Sequence, residues 1–185
     1  KDNYEIYDQR HAFTILENDF PSQFKDLMDL INKFKIKKEW IIKGGGGKTE
    51  IAKNIESHFN KRGWREKSFT VKNSINEVET ISETNKIDCF KGKIGLEIQW
   101  NNKTEFYDRD LNNFRILNEL DNISLGIILT RSSTLNITFK ELGIYSKYGA
   151  STTHMDKLIK KIEGGGAGGC PVIALGIKKE CIDFE

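Results

Sequence analysis

The apolar positions of the chain follow two periods, one typical of helices and one typical of strands. After Pro21, apolar side chains spaced three or four residues apart, from Phe24 to Phe34, predict an amphipathic helix that begins at the proline. A second helix over residues 51–59 is predicted to stop at Gly63. The same spacing predicts later helices over residues 107–120 and 153–162.

Alternation and short apolar runs predict the strands. Residues 87–90 and 94–100 form a predicted β-hairpin around the turn Lys91-Gly92, and further strands are predicted over residues 68–72, 123–130 and 172–177. Residues 73–85 are polar and show neither period. This order of helices, hairpin, helix, strand, helix and strand predicts a single α/β domain over residues 1–185, with a mixed β-sheet flanked by helices.

The hairpin over residues 86–102 carries a polar face. Alternation places Glu97 beside Gln99 on the face opposite Ile98, which we expect to point away from the core. A turn at Lys91-Gly92 would pair Asp88 with Gly95 and place Asp88 diagonal to Glu97, at about 5.5–8 Å between Cβ atoms. Because Gly95 has no side chain, we expect the space between the two acids to be open.

Two neighbouring carboxylates repel each other unless a cation joins them, and hard oxygen ligands favour Mg²⁺. We therefore expect Asp88 and Glu97 to bind Mg²⁺, with Mn²⁺ as a substitute and the carbonyl of Ile98 as a further ligand. Such a metal lowers the pKa of bound water and neutralises charge on a phosphodiester. From the hairpin alone, an ordinary exposed strand whose Glu and Gln face water remains an equal alternative.

Composition restricts the setting more than the activity. The formal charge of +2 and the pI near 8.3 allow a nucleic-acid partner without requiring one. Three cysteines without C-x-x-C spacing argue for a reducing compartment and against structural zinc. Because no apolar run is long enough to span a bilayer, we expect a protein of the bacterial or archaeal cytoplasm, without a membrane partner.

Two glycine-rich segments resemble nucleotide-binding loops. Residues 44–49 read Gly-Gly-Gly-Gly-Lys-Thr, but the phosphate-binding motif of NTPases requires glycine where this chain has Ile42. The mismatch makes an NTPase only a weak alternative for the function of this chain. A flexible loop of this kind can bind phosphates of DNA by the same backbone N–H groups, so we expect Lys48 to reach DNA phosphates and expect no nucleotide cofactor. Residues 164–169 match a dinucleotide pattern by letter, but they follow a helix and precede a strand, which is the wrong context.

The segment Ile87-Asp88-x8-Glu97-Ile98-Gln99-Trp100-Asn101-Asn102 resembles the D-x(n)-E-x-K/Q core of type II restriction endonucleases. It is most similar to the BglII and BstYI group of the PD-(D/E)XK superfamily, in which glutamine replaces the usual lysine. Weaker similarity extends to Gly63-Trp64, to residues 106–111 and to residues 169–177.

The resemblance implies a restriction-endonuclease-like fold and a homodimer that cuts each strand of a short palindromic double-stranded DNA site, leaving 5′-phosphate ends. Relatives in the group read sites with a central GATC. Asp88 and Glu97 would be the metal ligands, and Gln99 would orient water or a phosphate oxygen without supplying charge. A non-catalytic DNA-binding module is the alternative from another class, although it would have no use for clustered acids that repel phosphate.

Candidate DNA contacts follow from the same resemblance and from residue chemistry. An asparagine amide reads adenine in the major groove, so Asn101 and Asn102 are candidates, although a polar turn explains them too. The other candidates are Arg109 and the residues at a predicted helix start, namely Ser151, Thr152, Thr153, His154 and Lys157. Residues 151–153 could instead simply cap that helix, because Ser and Thr are favoured at helix N-termini. An upstream polar residue, Asn73 or Glu77, would complete the active site.

Overall fold

The computed structural model describes residues 3–43, 47–76 and 78–184. Glu77 and the glycines at 44–46 lie outside the described residues, as does the side chain of Asn73, so the expectations attached to them stay predictions. None of the helices in the described ranges is both long and apolar enough to cross a membrane.

The element bounds of the chain are as follows. The strands are β1 (Tyr4–Gln9), β2 (Ile36–Lys37), β3 (Arg65–Lys67), β4 (Thr70–Ile75), β5 (Val78–Glu83), β6 (Ile87–Lys91), β7 (Ile94–Gln99), β8 (Leu125–Arg131), β9 (Val172–Ile177) and β10 (Ile182–Asp183). The helices are α1 (Ala12–Asp19), α2 (Pro21–Lys33), α3 (Lys38–Ile42), α4 (Glu50–Asn60), α5 (Glu105–Glu119), α6 (Leu135–Glu141) and α7 (Met155–Glu163).

A six-stranded mixed sheet, in the order β1-β9-β8-β7-β6-β3, forms the centre of the molecule. The strands β7, β8 and β9 are parallel, while β1, β6 and β3 pair antiparallel with their neighbours. Helices cover both faces, so the prediction of a mixed sheet flanked by helices is confirmed. Two small sheets, β2 with β10 and β4 with β5, lie outside this core sheet.

Each face of the sheet has its own apolar cluster, because alternate residues of the central strands point to opposite sides. One cluster joins Leu96 and Ile98 of β7 to helices α1–α4 through residues such as Leu27 and Ile55. The other cluster joins Ile128 of β8 to helices α5 and α7. The face of β7 that carries Glu97 therefore packs against α5 and does not face water.

Two paired glycines let α5 approach the sheet closely. Gly95 of β7 lies beside Gly126 of β8, and the ring of Phe114 from α5 covers both. A methyl group at Gly126 would lie 2.2 Å from a ring carbon of Phe114, which is far inside van der Waals contact. The expectation of open space at Gly95 is therefore wrong, since the ring of Phe114 occupies that space.

The register of the hairpin also differs from the prediction. The structure pairs Lys91 with Ile94 and Cys89 with Leu96, so the two-residue turn is Gly92-Lys93, one position later than expected. Gly92 has φ of 63°, the positive value that a tight hairpin turn needs at its first central position. Continuing this register places Asp88 opposite Glu97 instead of diagonal to it.

Most other predicted elements are present with shifted ends. The strand expected over residues 68–72 begins at Thr70, and the helix expected from Thr153 begins at Met155. The ambiguous region around 73–85 contributes to the β4–β5 hairpin, and β1, α1, α3 and α6 were not predicted. The segment before the first glycine-rich loop is helix α3, so the strand that an NTPase loop requires is absent there.

Candidate active site

A cleft of about 340 Å³ opens where β6 begins and β7 ends, opposite the hairpin turn and between helices α4 and α5. Asp88 and Gln99 line its floor, Lys48 and Glu56 line the α4 side, and Arg109 lines the α5 side. The cleft thus brings several of the predicted residues together with Glu56, which no sequence motif indicated.

Asp88 stands where β6 and β7 cease to pair. Their ladder ends at Cys89 and Leu96, and the Asp88 Oδ2 atom accepts the backbone N–H of Ile98 at 3.0 Å. The carboxylate therefore replaces a strand carbonyl as the acceptor for β7. This hydrogen bond fixes Asp88 relative to the strand that carries Glu97 and Gln99.

Glu97 is buried, with only 1 % of its surface exposed. Neither carboxylate oxygen receives a hydrogen bond from any residue in the part of the chain that the structure describes. Burial raises the pKa of Glu97 well above its ordinary value of 4.5, and the neighbouring Asp110 and Asp88 raise it further. The expectation that Glu97 and Gln99 point away from the core is wrong, and so is the alternative of an exposed strand, because α5 covers this face.

Gln99 is equally buried and contacts Asp110, an acid of the segment 106–111 that was not among the predicted site residues. Its Nε2 atom donates to Asp110 Oδ2 at 2.5 Å, and the Arg109 guanidinium donates twice to Asp110 Oδ1, at 2.9 and 2.7 Å. Burial raises the pKa of Asp110 to about 6, against the opposing effect of Arg109. The Gln99 Oε1 atom is buried without a donor among the described residues.

Lys48 brings a positive charge to the same cleft. Its ammonium forms an ion pair with Glu56 of α4. Burial lowers the pKa of Lys48, but Glu56 and Asp88 outweigh burial and the net shift is upward, so the ammonium stays charged. Thr49 begins α4 as a true cap, its hydroxyl accepting the N–H of Ala52 at 3.2 Å.

The donor set fits a hard divalent cation. The buried oxygens of Glu97 and Gln99 lack hydrogen-bond donors among the described residues, and the Asp88 carboxylate lies beside them. Across residues 3–43, 47–76 and 78–184, no three His, Cys, Asp or Glu side chains converge as a ligand cluster. A cation here would therefore have two carboxylates as its charged ligands, supplemented by neutral oxygens.

Asn101 and Asn102 lie on the rim of the cleft, directly after β7. The Asn101 amide donates to the carbonyl of Lys147 at 3.1 Å, and the Asn102 carbonyl accepts the N–H of Thr153 at 2.9 Å. Both are half-buried, so their positions suit groups that contact a substrate lying in the cleft.

The segment from Ser151 to Lys157 lies beside this rim but differs in detail from the prediction. Ser151 is exposed, whereas Thr153 is fully buried and donates its hydroxyl to the Gln99 carbonyl at 2.9 Å. Thr152 accepts a hydrogen bond from the buried Arg131 at 2.8 Å. Thr153 therefore supports the end of β7 from inside the protein, and its hydroxyl is already engaged there.

Two further candidates of this segment are also committed to internal contacts. Lys157 donates to the carbonyl of Thr152 at 2.9 Å and to the hydroxyl of Thr104 at 3.1 Å. Its ammonium therefore links the segment before α7 to the start of α5. His154 shares a hydrogen bond with Ser133 at 2.9 Å, and burial lowers its pKa to about 4. At neutral pH His154 is uncharged and offers no cation to a phosphate.

A helical pattern in the sequence would have indicated the two acids that were missed. Asp110 falls on the same helix stripe as Tyr107, Leu111 and Phe114, which are all buried. Glu56 sits in the same way between Ala52, Ile55 and Phe59, which form the buried face of α4. An acid on an apolar helix face needs a partner inside the protein, and this is a signal of a functional site.

The mixed sheet between helices, with an Asp, a Glu and a Gln at the splayed ends of two antiparallel strands, defines a protein of the restriction-endonuclease-like class. The family model described as restriction endonuclease BglII/BglIII matches residues 4–177. The chain belongs to this family and is a type II site-specific deoxyribonuclease, an enzyme that acts on double-stranded DNA and generally requires a divalent metal ion. No curated protein matches the chain.

Proposed function

We propose that the chain acts as a homodimer that hydrolyses one phosphodiester bond in each strand of a short palindromic site containing GATC, leaving 5′-phosphate ends. Asp88, Glu97 and Gln99 are its catalytic residues. The observation that carries this proposal is the buried carboxylate of Glu97, which faces two other acids and has no donor among the described residues. The palindrome, the GATC core and the 5′-phosphate rest on the resemblance to the BglII group.

Mg²⁺ is the proposed cofactor, with Mn²⁺ as a substitute. Asp88 and Glu97 would hold it, with the carbonyl of Ile98 between them as a neutral ligand. When bound, such an ion lowers the pKa of water and offsets the charge that a phosphodiester gains in the transition state. An unpaired buried carboxylate is costly for the folded chain, and a cation at this position would offset that cost.

The other proposed groups of the cleft act on the substrate through positive charge and hydrogen bonds. The Lys48 ammonium supplies positive charge near Asp88, where a negatively charged phosphate must approach three acids. Gln99 orients a neighbouring hydrogen-bond donor such as water, but it cannot remove a proton. Asn101 and Asn102 are the proposed base-contacting residues at the rim.

A larger depression of about 820 Å³ shares Glu56 with the cleft and extends along α4. Its basic residues are Lys53, Lys61 and Arg65. Cations along such a groove suit the phosphates that flank a recognition site, where contacts add affinity but no sequence information. We assign this depression to the DNA backbone.

Sequencing the ends of digested DNA tests the proposal. Purified protein would be incubated with bacteriophage DNA and Mg²⁺, and the fragment ends would be ligated and sequenced without prior phosphorylation. One palindromic sequence containing GATC at every end, together with direct ligation, supports the proposal. Random ends, or ends that ligate only after a kinase adds phosphate, would overturn the stated specificity or product.

Binding and nucleotide assays with the same protein separate the two alternatives. A non-catalytic module would retard DNA in a gel without cutting it in the presence of Mg²⁺, and an NTPase would release phosphate from ATP. We expect neither, because the buried Glu97 carboxylate without a donor among the described residues suits a cation, and helix α3 stands where an NTPase loop requires a strand.

A further inference from the structure

We propose that Asp110 is a positioning residue that turns the oxygen of the Gln99 amide into the active-site cleft, so that Gln99 acts as an acceptor and not as a donor. This inference rests on the proposed function, because it assigns the orientation of a residue in that site. It also gives a physical reason why glutamine works at a position where the wider superfamily has lysine.

The contacts fix which end of the amide faces which way. The Gln99 Nε2 atom lies 2.5 Å from Asp110 Oδ2, and a carboxylate oxygen only accepts hydrogen bonds. The amide nitrogen must therefore face Asp110. The Oε1 atom of Gln99 is left with no donor among the residues that the structure describes, at a side chain that lines the cleft.

The acid itself cannot turn away, because Arg109 holds its other oxygen. The Arg109 Nε and Nη2 atoms donate to Asp110 Oδ1 at 2.9 and 2.7 Å, and the guanidinium stacks 4.6 Å from the ring of Phe106. The close approach of α5 at Gly126 holds this helix against the strand that carries Gln99. Asp110 is thus fixed as the acceptor between two donors, Arg109 and Gln99.

This orientation gives the cleft an acceptor that is rigid and uncharged. A water molecule that donates one proton to Gln99 Oε1 would have its lone pair directed away from that oxygen, which orients it for attack. The donorless oxygens of Glu97 lie two residues earlier on the same strand. A lysine at position 99 would instead donate to Asp110 and be neutralised by it.

Replacing Asp110 by asparagine reverses the arrangement while nearly preserving its size. Arg109 donates to an oxygen and would keep the oxygen of the new amide, so the NH₂ group would face Gln99. Gln99 would then turn its own oxygen inward and present its NH₂ group to the cleft. The matched control is Asp108→Asn, two residues earlier on α5, where the acid pairs with Lys161 at the surface.

Hydrogen exchange of the glutamine side chains, compared between the parent protein and Asp110→Asn, reads the orientation, because burial protects Gln99 in both proteins. The chain has three glutamines, Gln9, Gln23 and Gln99, so a spectrum of protein labelled with ¹⁵N-glutamine resolves three amide pairs. Gln23 is the internal reference, because it donates a long hydrogen bond of 3.4 Å. We expect the Gln99 protons to exchange about tenfold or more slowly than those of Gln23, as a hydrogen bond to a charged group implies.

In Asp110→Asn we expect this protection to fall toward the level of Gln23 and single-turnover cleavage to fall about tenfold or more, with both unchanged in Asp108→Asn. Fast exchange at Gln99 in the parent protein, or full cleavage by Asp110→Asn, would overturn the proposal. If Asp110→Asn does not fold, the parent spectrum still decides, because the hydrogen bond to the Asp110 carboxylate should move one Gln99 amide proton downfield of the Gln23 protons, and the absence of that shift would overturn the proposal. If the parent cuts no DNA, the proposed function fails, and the exchange measurement still tests the orientation.

Discussion

Glu97 affects both the stability of the folded chain and the proposed chemistry of the site. Its carboxylate is 1 % exposed, and burial followed by Asp110 and Asp88 raises its pKa. The folded chain therefore holds this proton more tightly than the unfolded chain, so stability falls as the pH rises above the ordinary value of 4.5. Ionised Glu97 thus lowers the stability of the folded chain, a cost that its proposed catalytic role would explain.

Glu97→Gln removes this cost and should stabilise the protein in the absence of metal. We expect a gain of about 1–3 kcal/mol at pH 8, and little gain at pH 4, where the carboxyl is largely neutral in both states. Thermal unfolding of the two proteins in EDTA at both pH values checks this. A loss of stability at pH 8 would show that Glu97 has a stabilising partner.

The affinity for a metal ion should rise with pH, whereas the stability of the metal-free protein falls. A cation needs ionised ligands, whereas Glu97 has a raised pKa and the pKa of the neighbouring Asp110 is about 6. We expect the affinity for Mg²⁺ to increase from pH 5.5 to pH 8 and binding to release protons. Calorimetric titrations in two buffers of different ionisation enthalpy measure both, and an affinity independent of pH would contradict the assignment.

At this scale the sequence led to candidate residues more readily than to their surroundings. Asp88, Glu97 and Gln99 could be proposed from alternation and family resemblance because all three lie in one hairpin, although the turn expected in that hairpin was one position too early. Asp110 and Glu56 reach the cleft from other helices, and no local pattern states which helix covers which strand. Burial of Glu97 depends on that same tertiary contact and was therefore missed.

At the scale of elements, helix α5 decides the geometry of the site. Phe114 packs over Gly95 and Gly126, and Asp110, one turn earlier, reaches Gln99. The helix and the strand must approach to a fixed distance for this hydrogen bond to form. We therefore expect the two glycines to affect cleavage through the position of α5.

Gly126→Ala should separate α5 from the sheet. Its methyl group would lie 2.2 Å from a ring carbon of Phe114, so we expect a destabilisation of about 1–3 kcal/mol and slower cleavage. Gly169→Ala is the control, because a methyl group there meets nothing within 4 Å. Denaturant unfolding and single-turnover cleavage measure both effects, and equal behaviour of the two variants would refute this role for the glycines.

The hairpin shows why the sequence predicted elements but not register. Both Lys91-Gly92 and Gly92-Lys93 provide a glycine for a two-residue turn, and a shift of one position changes every cross-strand pair. The structure selects Gly92-Lys93, which pairs Cys89 with Leu96 inside one apolar cluster. In the other register Cys89 would pair with Ile94, which belongs to the same cluster, so the apolar pattern of the hairpin does not distinguish the two registers.

At the scale of the whole molecule, basic residues form the approach to the cleft. The net charge of +2 is too small to direct DNA by itself, so local placement must do so. Lys61 and Arg65 line the depression that continues from the cleft along α4. Lys93 lies in the turn at the other end of the β6–β7 hairpin, paired with Asp121.

The double substitution of Lys61 and Arg65 by glutamine should weaken binding to all DNA sequences alike. We expect the dependence of log affinity on log salt to become shallower by about one for each DNA phosphate that the variant no longer neutralises. Lys93→Gln should change neither affinity nor salt dependence. Fluorescence anisotropy over a salt series with cognate and unrelated duplexes measures this, and weaker binding restricted to the cognate duplex would contradict a backbone role.

The single-turnover cleavage rate of Glu97→Gln tests the central claim most directly. With Mg²⁺ and saturating enzyme, we expect the parent and the surface variant Glu119→Gln to cut DNA at the same rate. Glu97→Gln should bind the same DNA and cut it at least about a thousandfold more slowly, the scale of effect seen when a key transition-state stabiliser is removed. Cleavage by Glu97→Gln at the parent rate would contradict the assignment of the active site.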